Sequence, residues 1–152
     1  MSGPGPFTPR PAFEIPPGNA VLVGAEPGVL CLKGQRRAKK YVQDYVVALA
    51  PMAEGGPRLD FVDPETELAD GGQPLRFVAG AETVGEAGAR PHPQPGDLMR
   101  NEMGLWLAVW ETDGIYRFVS YIDVTTGEVR RLRKGAIGTV YRDWRIDGPA
   151  FR

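Results

Sequence analysis

Glycine and proline occur throughout this chain and supply 20 and 15 of its 152 residues, nearly a quarter of the total. Average usage of the two is about 12%. Neither suits the interior of a helix, because proline has no amide hydrogen to donate and glycine loses the most backbone freedom on folding. The sequence therefore predicts a mostly β fold of turns, extended segments and short strands, with a length that suits one domain.

Proline is densest at the N-terminus, where it occupies six of the first 17 positions. Because proline fixes its own φ and favours extended backbone in the residue before it, we predict an extended Pro/Gly-rich N-terminal arm over residues 1–20. Residues 21–152 are predicted to form a single β-rich domain. Three apolar side chains lie between the prolines, and we predict that they anchor the arm on a partner subunit: Phe7, Phe13 and Ile15.

The clearest strand pattern lies between residues 97 and 146. Asp113-Gly114 and Thr126-Gly127 are typical hairpin turns between aromatic and β-branched runs. They predict an antiparallel meander of four or five strands, which forms a small antiparallel barrel or packs as a sandwich. In residues 105–110 both alternating sets are apolar, so we expect that strand to be central or covered on its outer face.

A basic segment, residues 33–40, follows two short predicted strands at 20–23 and 29–32. We predict that this segment is a loop that contacts acidic protein surface through four side chains: Arg36, Arg37, Lys39 and Lys40. Apolar and β-branched residues then predict a strand over 41–50, with a short helix as the alternative. Shorter strands are expected at 58–62 and 75–79, followed by a surface loop over 80–94.

The chain carries no recognisable catalytic or metal-binding motif. It lacks Gly-x-Ser-x-Gly and the glycine-rich phosphate-binding loops. The single cysteine, Cys31, lies in an apolar run and is expected to be a buried small hydrophobe, while the single histidine, His92, lies between two prolines. We therefore predict no catalytic residues, no cofactor and no metal. The N-terminus lacks the features of a signal peptide and no apolar run is long enough for a membrane span, so we expect cytoplasmic synthesis and no membrane partner.

A second basic cluster lies at residues 130–134, with tyrosines near both clusters. Cations beside stacking aromatics on a small β-barrel are typical of proteins that hold single-stranded nucleic acid. The net charge of -1 provides no global attraction to a polyanion, so a solvated face or a contact with acidic protein is the simpler interpretation. In a self-assembly, the acidic middle of one copy would meet the basic segment of the next.

These features favour a structural component of a macromolecular assembly over an enzyme. We expect an accessory protein of a virus or phage particle, such as a capsid-decorating, head-completion or tail protein, that docks on other protein subunits, including copies of itself, through its N-terminal arm. The alternative is a small nucleic-acid-binding β-barrel. A third hypothesis is a small hydrolase with two paired carboxylates drawn from those around the meander: Glu102, Glu111, Asp113, Asp123 and Asp143.

Overall fold

The structure is a computed structural model, and it describes residues 7–24, 28–84 and 91–147. The strands are β1 (Thr8–Pro11), β2 (Asn19–Val23), β3 (Val29–Arg37), β4 (Val42–Ala50), β5 (Leu59–Val62), β6 (Glu67–Pro74), β7 (Arg76–Ala79), β8 (Leu98–Asn101), β9 (Gly104–Asp113), β10 (Tyr116–Asp123), β11 (Val129–Arg130), β12 (Thr139–Tyr141) and β13 (Trp144–Asp147). Two 3-10 turns, Ala12–Glu14 and Lys134–Ala136, complete the regular elements.

The strands form three antiparallel sheets. A six-stranded sheet has the order β1-β6-β2-β3-β4-β5, a five-stranded sheet has the order β11-β10-β9-β8-β12, and β13 pairs with β7 as a separate ribbon. The predicted mostly β fold is therefore confirmed, with 58% of the structure in strands. The barrel form of the prediction is wrong, because none of these sheets closes on itself.

The C-terminal meander is confirmed from β8 to β11, which are consecutive antiparallel neighbours. The predicted turn at Gly114 is also confirmed, because Asp113 pairs with Tyr116 across it. The predicted last strand is wrong in one respect, because it is two strands and not one. Strand β12 ends at Tyr141 and pairs with β8, whereas β13 leaves that sheet and pairs with β7. A backbone bond from the Gly80 amide to the Asp143 carbonyl (2.7 Å) holds the chain at that point of departure.

Strand β9 is covered on both faces, as its two apolar sets predict. It lies at the centre of the five-stranded sheet. One face carries Leu107 and Val109 into a core shared with the six-stranded sheet. The other carries Trp106 into a separate core that includes Ile137. We call residues 131–137 the C-terminal strap, because they supply the cover for this outer face.

The two large sheets approach closely at the shared core. A Cβ on Gly34 of β3 would lie 2.8 Å from Cδ1 of Ile122 on β10, so a larger residue there would force that side chain to move. Further contact comes from the Gln35 amide, which donates to the Gly127 carbonyl at 2.8 Å. These contacts join the two sheets without making a continuous ladder between them.

The described part of the predicted arm belongs to the chain's own fold. Residues 8–11 form edge strand β1 on β6, and the Ala12 amide donates to the Thr66 carbonyl at 2.8 Å. Residues 11–15, which we call the N-terminal strap, cover the outer face of the six-stranded sheet. Ile15 is 1% exposed and packs with Val21 and Cys31, which confirms the buried position of that cysteine. The prediction that Ile15 anchors on a partner is therefore wrong, because its side chain fills this chain's own core.

The predicted basic loop is also corrected. Strand β3 continues through Arg37, so only residues 38–41 turn between β3 and β4. Lysine and arginine can lie within a strand here because their charges find partners inside the chain, as described below. The predicted strands over 41–50, 58–62 and 75–79 are confirmed as β4, β5 and β7. Strand β6 had no counterpart among the sequence predictions.

Replacing Ile15 with alanine tests whether the N-terminal strap is part of the core. Deleting a fully buried isoleucine side chain leaves a cavity, so we expect the free energy of unfolding to fall by about 2–5 kcal/mol in urea titrations. The neighbouring Phe13→Ala variant is the control, because Phe13 is exposed and should change stability by only about 0.5 kcal/mol. Equal, small effects of both substitutions would show that the strap does not pack on the sheet.

Candidate functional site

A polar cluster lies between the two large sheets and uses one residue of the predicted basic segment. Arg36 of β3 binds Glu111 of β9 with two hydrogen bonds, of 2.6 and 2.7 Å. Ser120 of β10 donates a third bond to the same carboxylate at 2.6 Å. The Arg36 guanidinium also lies 5.7 Å from the centre of the Tyr45 ring. Arg36 thus joins the sheets from inside the chain instead of reaching out to an acidic neighbour.

The electrostatics of the cluster favour the charged pair. Burial by itself raises the pKa of Glu111, but hydrogen bonds from Arg36 and Ser120, together with the Arg36 charge, outweigh it and hold the pKa below its ordinary value. The pKa of Arg36 is raised, first by its hydrogen bond to Glu111. Both groups therefore stay ionised at neutral pH and bind each other.

A second ion pair is fully buried on the outer face of the six-stranded sheet. Lys33 is 0% exposed, and its Nζ lies 2.6 Å from Oδ1 of Asp44 on the adjacent strand. Gln35 also approaches Oδ1 of Asp44, at 3.4 Å. Two charges withdrawn from water in this way are held only because each neutralises the other. Lys33 is therefore structural, although sequence reasoning placed it in a solvated loop.

Two of the five carboxylates considered for hydrolysis, Glu111 and Asp123, make hydrogen bonds within the chain. Glu111 binds Arg36, and Asp123 accepts the backbone amides of Thr125 and Thr126 at 2.8 and 3.0 Å, which shapes the turn after β10. Within residues 7–24, 28–84 and 91–147, no group of three or more histidine, cysteine or acidic side chains is placed to hold a metal ion. In the same part of the chain, no helix is long and apolar enough to cross a membrane.

Cys31 and His92 lie in contrasting surroundings. The Cys31 thiol is buried, and burial, followed by the negative charge of Asp60, raises its pKa to about 12. A thiol that stays protonated at neutral pH is a poor nucleophile, so Cys31 acts as a core residue. His92 is exposed beside the C-terminal strap.

Four large apolar side chains are exposed near one end of the β4–β5 pair, with Phe61 on the face of β5 that packs on Tyr45 and Phe13 on the strap that covers the opposite face. The last residue pair between β4 and β5 is Asp44 opposite Val62. Two residues after Val62, the carbonyl of Pro64 accepts a hydrogen bond of 3.0 Å from the amide of Phe13. Phe13 therefore reaches the end of the pair at which β4 begins. We call the set the β4–β5 corner, and its members are Phe13 (57% exposed), Tyr41 (58%), Val42 (47%) and Phe61 (61%).

The structure divides the seven predicted partner-binding residues into two groups. Phe7 and Ile15 pack against the chain's own cores, and Arg36 binds Glu111. The others are exposed, with Lys39 and Lys40 in the β3–β4 turn directly before the β4–β5 corner. Sequence reasoning missed Phe61 as a surface residue, because an aromatic residue in a predicted strand is usually assigned to the core.

No family model matches the chain, and neither the curated proteins nor the solved structures yield a match. The functional argument therefore depends on this molecule's own surface.

Replacing Lys33 with methionine tests the buried ion pair. The substitution leaves the Asp44 carboxylate buried without its counter-charge, so we expect the free energy of unfolding to fall by about 3–5 kcal/mol. Adding Asp44→Leu should recover much of that loss, because an apolar pair needs no neutralisation. The control is Arg130→Gln, which breaks an exposed pair with Glu128 and should cost less than about 1 kcal/mol. A double variant less stable than Lys33→Met alone would contradict this account.

The Glu111 carboxylate predicts a specific loss of stability in acid. Its folded-state pKa lies below the ordinary value of 4.5, so its contribution is complete above pH 4.5 and is lost as the pH falls through the folded-state pKa. We expect Glu111→Gln to lower the free energy of unfolding by about 1–3 kcal/mol at pH 7, with a difference from the parent chain that narrows below pH 4.5. The control is Glu102→Gln, at an exposed position, which should change the free energy of unfolding at pH 7 by less than about 0.5 kcal/mol. A Glu111→Gln difference that stays constant with pH would argue against the charged pair.

Proposed function

We propose that this protein is a structural subunit of a macromolecular assembly and binds a neighbouring protein subunit through the β4–β5 corner. The proposed assembly is a virus or phage particle, in which the chain would serve as a capsid-decorating, head-completion or tail accessory protein. The neighbour is another subunit of the assembly, including a second copy of this chain. No catalytic step is part of this proposal.

The observation that carries the proposal is the exposed apolar corner. Three of its four members are aromatic, and aromatic side chains are enriched at the centres of protein interfaces. Exposed single hydrophobes need no explanation, but a group of them at one end of a strand pair favours a contact with another protein. Burying such side chains against a partner would remove their apolar surface from water, which is the main driving force for association.

The charges beside the corner favour an acidic partner surface. Within the part of the chain that the structure describes, no salt bridge uses Lys39 or Lys40, whereas Lys33 and Arg36 are paired internally. Free cations at the rim of an apolar patch steer association and set its register more than they add affinity. The chain carries acidic residues on β5 and in the β5–β6 connection, among them Asp60, Asp63 and Glu65, so a second copy offers suitable chemistry.

The N-terminal segment supports the proposal in a narrower way than the sequence predicted. Strand β1 lies at the edge of the six-stranded sheet and leads directly into the strap that presents Phe13. The contact predicted for the arm would then be made by Phe13, together with residues from the β4–β5 pair. The remaining members of the corner lie far from Phe13 in sequence.

The proposal is tested by the size of the particle that contains the chain in an extract of the cells that make it. We expect the tagged parent chain to elute from a sizing column far above its own mass of 16.6 kDa. The variant Phe13→Ser/Phe61→Ser should elute as free chain, because both side chains are exposed and their loss should affect association more than folding.

The matched control is Ile115→Ser/Tyr116→Ser, which removes a still more exposed apolar pair from the end of the β9–β10 hairpin. It should co-elute with the parent chain. If the parent chain itself elutes as a monomer, or if both double variants leave the particle equally, the β4–β5 corner is not the assembly contact.

A further inference from the structure

Three neighbouring clefts follow the segment from Val129 to Gly138. The largest, of about 660 Å³, lies between the β8–β9 turn and the C-terminal strap, and Arg131 and Arg133 line it. A second cleft is lined by His92 and Lys134. A third, at the other end, is lined by Arg37 and Arg130.

The three clefts adjoin one another. Gly135 and Ile137 line both the first and the second cleft. Arg130 of the third cleft places its Nη1 4.0 Å from Sδ of Met103, which lines the first. We call the surface formed by residues 129–138 and the linings of the three clefts the basic groove.

The groove unites the two basic clusters of the sequence. Arg37 ends β3 and Arg130 lies on β11, and an isolated parallel bridge between Gln35 and Glu128 brings the two strands together. Cationic side chains outnumber carboxylates among the residues that line the groove. The cations are Arg37, Arg130, Arg131, Arg133 and Lys134, and the carboxylates are Glu102 and Glu128. Within the described residues only Arg130 of the five cations makes a salt bridge, and the Arg131 charge contributes to holding the pKa of Glu111 down, so Arg37, Arg133 and Lys134 are the charges left for a ligand. A local excess of this kind attracts anions although the whole chain carries a charge of -1.

The walls of the groove are suited to more than phosphate. The Arg131 guanidinium lies 3.9 Å from the centre of the Phe118 ring, so one planar face of an exposed cation rests on an aromatic ring. Phe118 alternates with Ser120 and Ile122 on the face of β10 that packs toward the six-stranded sheet, so this stack lies across the edge strand β11 from the apolar wall of the largest cleft. Met103, Leu132 and Ile137 add apolar surface to the largest cleft. Nucleobases stack on arginine planes and on apolar or aromatic side chains, while arginine also binds phosphate oxygens in pairs.

We propose that the basic groove binds single-stranded nucleic acid. Arg37, Arg133 and Lys134 contact phosphates along the strand, and a base stacks on the face of Arg131 that is turned away from Phe118. An acidic protein segment would use the same charges, but only an aromatic residue in it could stack on Arg131, whereas every nucleobase can, so the Arg131–Phe118 stack favours nucleic acid. This site adjoins the β4–β5 corner where Arg37 pairs with Val42, but its other cations lie on residues 130–134, and it does not depend on the assembly contact proposed there.

The test is fluorescence anisotropy of a labelled oligothymidine of about 20 nucleotides, titrated with the full chain between about 50 and 200 mM salt. We expect Arg133→Gln/Lys134→Gln to weaken binding on the order of tenfold at the lower salt concentration. It should also reduce the slope of log affinity against log salt by about 1.4, at 0.7 for each lost phosphate contact. Arg131→Lys keeps the charge and loses the plane, so it should weaken binding with little change in slope.

The matched control is Arg76→Gln/Arg145→Gln, which removes two exposed charges from the β7–β13 ribbon, outside the groove. It should bind as the parent chain does. The proposal is overturned if the parent chain shows no salt-dependent binding, or if groove and control variants lose affinity equally. It is also overturned if polyglutamate of similar length displaces the oligonucleotide at the same concentration as unlabelled oligothymidine, or if the groove variant dissociates a self-associated form of the chain in the absence of nucleic acid.

Discussion

Each of the two large sheets is apolar on both faces, and this constraint shapes the rest of the molecule. Packing the sheets together buries only one face of each, so each needs a second cover. The N-terminal strap covers one outer face with Ile15, and the C-terminal strap covers the other with Ile137. Both straps are short and irregular, and each carries polar or exposed residues on its other side. The β4–β5 corner and the basic groove are thus built partly from segments that the core holds in place.

The ion pairs within the chain distinguish the charged residues that stabilise the fold from those that can bind a partner. Lys33 and Arg36 lie in a basic run that looks uniform in sequence, yet each is neutralised by a carboxylate of its own chain. Removing one member of such a pair leaves an uncompensated charge, so these pairs hold the strands in register without offering a binding surface. The charges left for a partner are those on turns and on the C-terminal strap. These charges lie beside the β4–β5 corner and along residues 130–134, and the two groups adjoin at Arg37, which pairs with Val42.

Local sequence patterns predicted the fold class well and the use of individual residues poorly. Residues 105–110 are apolar on both alternating sets, a property of the strand itself, and β9 is indeed central. The burial of Lys33 depends on Asp44, and the exposure of Phe61 depends on β5 being an edge strand, neither of which has a local signature. The proximity of Arg37 and Arg130 likewise follows from the packing of two sheets, so the basic groove could not be read from either cluster alone.

The central claim, that the β4–β5 corner is buried against another subunit, is tested most directly by backbone hydrogen exchange of the chain alone and within its assembly. We expect the amides of residues 39–43 and 60–62 to exchange more slowly in the assembly, because a seated partner excludes water from the corner and restricts local opening. The β9–β10 turn should exchange at the same rate in both states. Slowed exchange confined to that turn, with an unchanged corner, would contradict the account.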